Sequence, residues 1–210
     1  MKKIILAFSL FTLIVFSSSA QEIGKVFLPM PEDIIFGLEA SHKEMLLTNP
    51  NDTTEIVVDR GTFGELKRLA MSDDFISIKT SEAGTTQIKL LPLINDSKII
   101  CVVKTVCGKA CDSQIQFYTT KWLPIEQSLF PDIDKDIFLK SDIDRNSQEF
   151  INAYKALDIT PVKMILSPTD NSIKLEYQIK DYLSEEDYKK IQPFLKEEPI
   201  MLQWDKTSFK

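Results

Sequence analysis

One histidine, His42, is all that this chain of 210 residues offers, and a serine or cysteine hydrolase of the usual kind needs a base held beside its nucleophile. His42 falls on a mostly apolar stripe, which suits a packed imidazole better than a general base or a metal ligand. The patterns Gly-x-Ser-x-Gly, His-Glu-x-x-His and Gly-x-Gly-x-x-Gly do not occur, and Gly61-Thr62-Phe63-Gly64 lacks the spacing and the Lys-Ser/Thr ending of a phosphate loop. No cofactor is implied. Basic residues are also short, 25 against 31 acidic, for a formal net charge of −6. That balance argues against a general nucleic-acid binder, which needs a basic face to displace counterions, and against adsorption to anionic membrane. Beyond residue 20 no apolar run approaches the roughly 20 residues of a membrane span.

Cysteine is scarce and odd in number: Cys101, Cys107 and Cys111. In the simplest strand register Cys107 and Cys111 face each other across a turn, where a disulfide can close if their separation suits it. The loop is short, so such a bond should contribute less than the roughly 3 kcal/mol of longer loops. A Cys-x3-Cys pair as half of a metal site is the alternative, but no second pair and no histidine lies nearby, so no metal site is expected. Cys101 then reads as a small buried hydrophobe opposite Phe117.

What the chain does have begins at its start. Met1-Lys2-Lys3, an apolar run from Ile4 to Phe16, and Ser17-Ser18-Ser19-Ala20 form the three-part layout of a secretory signal peptide cut ahead of Gln21. Gln21, not cysteine, stands directly after the cut, so a lipoprotein anchor is not expected. The reading is a leader over residues 1–20 and a single domain over 21–210, exported to the periplasm or the cell exterior. Loss of Lys2 and Lys3 makes the remainder more acidic still.

The domain is organised around residues 74–120, four segments in which apolar residues recur at every second position. Ser81-Glu82-Ala83-Gly84, Asn95-Asp96-Ser97 and the stretch from Cys107 to Asp112 part them, which predicts an antiparallel meander. Ile76, Ile78, Ile88, Leu90, Ile100, Val102 and Tyr118 then share one face, the expected core. The opposite face carries Ser77, Lys79, Gln87 and Lys89 on the first two strands but Ile99, Cys101, Val103, Ile115 and Phe117 on the last two. Later parts of the chain cover such a face in most proteins. The functional alternative is a ligand or partner surface at Val103, Ile115 and Phe117, with Trp122 at the sheet end either joining it as an aromatic platform or packing inward.

Around this block, residues 29–48 predict a helix opened by Pro31, and residues 65–71 a helical turn. Residues 121–147 form an acidic connection. Its Asp132, Asp134 and Asp136 resemble a calcium loop, but Ile137 and Ile143 stand where that loop needs glycine and glutamate. The segment from 148 to 210 reads as α/β: Asn146 and Glu149 open a helix, two strands flank Ser167 to Asn171, Ser184 and Asp187 open a second helix, and residues 200–204 close with a strand. Ile88-Lys89-Leu90 and Ile173-Lys174-Leu175 echo each other and hint at two similar α/β halves. The expected class is α+β, an antiparallel meander with helices on at least one face.

Within the same block, Ser72-Asp73-Asp74-Phe75, Ser81-Glu82, Leu90-Leu91-Pro92, Ile100-Cys101-Val102-Val103 and above all Phe117-Tyr118-Thr119-Thr120-Lys121-Trp122-Leu123-Pro124 resemble an uncharacterised family of secreted Bacteroidales proteins, a domain of unknown function. The resemblance implies export and brings no activity and no catalytic residues. From the residues themselves we expect a non-catalytic binding or interaction protein whose partner is a protein, peptide, lipid or glycan. A carboxylate-based glycan hydrolase, or a structural subunit of a cell-surface assembly, is the alternative.

Overall fold

The structure, a computed structural model, describes residues 22–49 and 55–210, so the leader expected over residues 1–20 lies outside the described residues. Its centre is a six-stranded sheet of β1 (Ile56–Asp59), β2 (Glu65–Met71), β3 (Phe75–Lys79), β4 (Gly84–Pro92), β5 (Lys98–Cys107) and β6 (Cys111–Thr119), antiparallel and in chain order. β-Branched residues dominate β5, and its length suits a strand covered on both faces. The turn after β4 is an Asx turn: Asn95 Oδ1 accepts from the Ser97 N–H, and Asp96 takes the left-handed conformation at φ 61°. Register follows the alternation, with Ile76 opposite Ile88, Ile88 opposite Val102 and Ile100 opposite Tyr118. Residues 65–71 are a strand rather than a helical turn, because Leu66 and Arg68 are needed inward at every second position; a bulge beyond Arg68 turns Leu69 to solvent.

One face of this sheet packs on α1 (Glu22–Phe27), α2 (Ala40–Leu46) and the irregular chain between them. The single helix expected over 29–48 is thus broken. Gly37, at φ 71°, turns the chain, and two buried cations accept the role of caps. Lys43 donates to the carbonyls of Leu28 and Met30 beyond α1, and Arg68 donates to those of Leu46 (2.9 Å), Thr48 (2.6 Å) and Asn49 (3.1 Å) at the end of α2.

The other face is covered by a second antiparallel sheet, β7 (Val162–Leu166), β8 (Ser172–Tyr177) and β9 (Ile200–Gln203), with Trp204, Phe209 and parts of residues 125–138 filling the seam. Ile88 to Leu90 lie on β4 and Ile173 to Leu175 on β8, in sheets of six and three strands. The helices α3 (Gln148–Tyr154), α4 (Ile179–Tyr182) and α5 (Glu185–Ile191) form a third apolar cluster beside it. Ser147, not Asn146, caps α3 through a bond from the Phe150 N–H, and Ser184 caps α5 through one from the Asp187 N–H. The class is α+β. Among the described residues no helix is long and apolar enough to cross a membrane.

Candidate functional site

The half-polar face is not half wet. Ser77, Gln87 and Lys89 are buried, Lys89 to 1 % exposure, and Gln87 and Lys89 are held by polar partners. β7 is the edge strand of the smaller sheet, and the N–H groups of Val162, Met164 and Leu166 point away from β8 into the larger one. Asp112 Oδ1 accepts the first at 3.0 Å, Ser113 Oγ the second at 3.0 Å and Gln87 Oε1 the third at 2.9 Å, while Gln87 Nε2 donates back to the Met164 carbonyl at 3.1 Å. Three side chains therefore seal a strand edge that sheet pairing leaves open. Lys89 is ion-paired with Asp74 at 3.1 Å.

This packing corrects the expected open surface. Val103 is fully buried, and Phe117 stacks on Trp204 with ring centroids 6.2 Å apart, because β7 to β9 and the C-terminal aromatics cover β5 and β6. Trp122 is buried too: at φ 61° it tucks under the other face, where its Nε1 donates to the Val26 carbonyl at 2.8 Å. Ile115 alone of the four stays half-buried, at the margin of the covered region. Cys107 and Cys111 are joined as a disulfide across the β5–β6 turn with Cα atoms 3.9 Å apart, and Cys101 is a buried free thiol whose pKa burial pushes up. Among the described residues no group of three or more His, Cys, Asp or Glu side chains is placed to hold a metal ion.

Ile115 leads to the site. A groove of about 600 Å³ runs along β6, lined by Ser113 to Tyr118 on one side, by Pro124, Ile125 and residues 127–133 on the other, and floored by Met164. β6 is the last strand of its sheet, and its outer edge is only half covered. Successive residues of an antiparallel strand send their backbone groups alternately to the two sides. The Thr119 N–H donates to the Leu123 carbonyl at 2.9 Å, and the Phe117 carbonyl accepts from the Ile125 N–H at 2.9 Å, so odd-numbered residues of β6 face outward. There the strap formed by residues 123–133 leaves the edge, because Leu129 and Phe130 turn into the seam beside Phe209. The Ser113 carbonyl, both backbone groups of Ile115 and the Phe117 N–H have no pairing strand among the described residues.

The groove walls are apolar at Ile115, Phe117, Ile125, Ile133 and Met164 and polar at Gln114 and Gln116. Tyr118 donates to Gln116 at 2.7 Å, and burial, with Asp33 nearby, raises the pKa of its phenol. Asp132, exposed, is the one carboxylate on the lining. The acidic connection expected over residues 121–147 packs here instead, and Ile125, Leu129, Phe130 and Ile133 are the residues in its sequence that signal it.

The family described as DUF3256, protein of unknown function, matches residues 15–209. The chain belongs to that family. A solved structure described as a domain of an uncharacterized protein from Porphyromonas gingivalis W83, a member of the Bacteroidales, is similar to this DUF3256 chain with a TM-score of 0.80 and 27% identity, covering 91% of this chain and 98% of that one. No curated protein matches.

Proposed function

We propose that the chain is an exported, non-catalytic binding protein whose ligand lies in the groove along β6. The observation that carries the reading is the run of β6 backbone groups that have no pairing strand among the described residues, beside an apolar wall and floor. Such a surface offers both affinity and orientation to a ligand and no constellation for bond breaking: its lining has one carboxylate and no histidine. Export is supported by the leader-like residues 1–20 and by the Cys107–Cys111 disulfide, a bond that oxidising compartments preserve.

A second reading rests on a smaller cavity of about 430 Å³ between β8, α4 and the segment before β9. Glu176, Asp181, Glu197 and Glu198 line it, which is the raw material of a carboxylate-based glycan hydrolase. Titrating the 15N-labelled protein of residues 21–210 with a short acylated peptide, a chito-oligosaccharide and a lysophospholipid separates the two. The binding reading expects amide shifts clustered at Ile115, Ile125 and Ile133 for one probe, with no probe consumed. Shifts at Glu176 and Glu197 with cleavage of the oligosaccharide would overturn it.

A further inference from the structure

The ligand class can be narrowed by the chemistry of the edge itself, an inference that rests on the groove being the binding site. We infer that the groove takes an extended polypeptide segment from another protein, added to β6 as a seventh strand.

Four observations converge on that occupant. The backbone groups left over at Ser113, Ile115 and Phe117 repeat at strand spacing over about 13 Å, so only a ligand carrying donors and acceptors at the same repeat satisfies them together. A glycan or a lipid chain has no such repeat. The protein also shows the pairing it would accept: Leu123 to Ile125 of the strap already lie antiparallel on Thr119 to Phe117, and a peptide continues that strand where the strap departs. Next, where the strap has left it, the edge carries no blocking residue of its own. Ser113-Gln114-Ile115-Gln116-Phe117 contains no charge and no proline, and the β2 bulge lies at the far side of the sheet. Finally, the lining alternates. A peptide side chain turned inward meets Ile133 and Met164, and its neighbour turned outward meets Gln114 and Gln116. Asp132, exposed and without an ion pair among the described residues, stands ready for a basic residue at one end of the segment.

The occupant is therefore a short, uncharged stretch with apolar residues at every second position and a lysine or arginine flanking it. Antiparallel pairing gives one peptide residue both bonds of Ile115.

The test uses the peptide acetyl-Lys-Thr-Val-Thr-Val-Thr-Lys-amide and analogues N-methylated at one central position each, titrated into residues 21–210. N-methylation removes a single backbone donor and leaves the side chains in place. Strand addition predicts a parity: affinity falls at least tenfold when methylation hits residues whose N–H faces β6, and changes less than threefold at the alternate positions. Ile115→Pro, which removes an outward donor and no bond to β5, should weaken the unmodified peptide by a similar factor. If affinity ignores methylation but is lost in Ile133→Glu, strand addition is wrong while the groove remains the site. If neither variant nor methylation matters, both readings fall. Absence of binding by this peptide, or concentration-dependent self-association that Ile115→Pro abolishes, also overturns the proposal, the latter by giving the edge to a second copy of the chain.

Discussion

Gln87 is the residue on which the joint between the two sheets most visibly depends. It is buried on β4 and spends both ends of its amide on the edge of β7, accepting from Leu166 and donating to Met164. Gln87→Ala strands a buried donor and a buried acceptor, and we expect a loss of about 3 kcal/mol in urea unfolding; a loss below about 0.5 kcal/mol would mean that the edge finds other partners. Asp136 makes a second, smaller joint. It accepts from Arg145 at 2.6 Å and from the Tyr154 phenol at 2.7 Å, and these hydrogen bonds hold its carboxyl below the usual range, while burial and Asp136 together push Tyr154 up to about 12. A carboxyl whose folded pKa is depressed stabilises the fold above its unfolded pKa, about 4, and loses that contribution as pH falls through the folded value. Stability should drop as pH falls below about 4, and Asp136→Asn should flatten part of that drop while costing no more than about 1 kcal/mol at pH 7, since the pair is partly exposed. Unfolding midpoints of both proteins across that window check the sign.

At the scale of elements, the β5–β6 hairpin is fastened at its turn by Cys107 and Cys111 and open along its outer edge. For so short a loop the chain-entropy argument gives about 2 kcal/mol, so the double variant Cys107→Ser, Cys111→Ser should lose about that much in denaturant while keeping the groove intact by amide shifts. Elements of this kind were legible because alternation survives packing: Ile76, Ile88, Val102 and their row point one way in any register that keeps the core dry. The other row was not legible. Ser77, Gln87 and Lys89 read as solvent-facing by residue type, yet all three are buried, Gln87 as the bonding partner of β7 and Lys89 in its ion pair with Asp74. The helix expected over 29–48 failed for a related reason. Its apolar spacing is real, yet Lys43 and Arg68 satisfy enough loop carbonyls for the chain to bury Ile34, Ile35 and Leu38 without completing helical turns. Of the four residues expected on a ligand surface, Val103 and Trp122 serve the core, whereas Phe117 and Ile115 do line a groove, one strand edge away from the face anticipated.

Over the whole molecule, three layers share one central sheet: short helices, six strands, then three strands with the C-terminal aromatics. Covering both faces of the large sheet moves any binding surface to its rims, and β6 is the rim whose covering strap departs halfway. Trp204 belongs to this closure, its Nε1 bonded to the Pro92 carbonyl at 2.7 Å; Trp204→Ala should cost about 4 kcal/mol and loosen the seam, read as a lowered unfolding midpoint. Among the described residues, the edge of β6 has no pairing strand between Ser113 and Phe117. Native-state amide hydrogen exchange of residues 21–210 tests this most directly, because the amides of Gln114 and Gln116 are bonded to β5 and that of Ile115 points outward. Slow exchange is expected at Gln114 and Gln116, with Ile115 at least a hundredfold faster. Equal protection at all three would contradict it, since the edge would then already be paired.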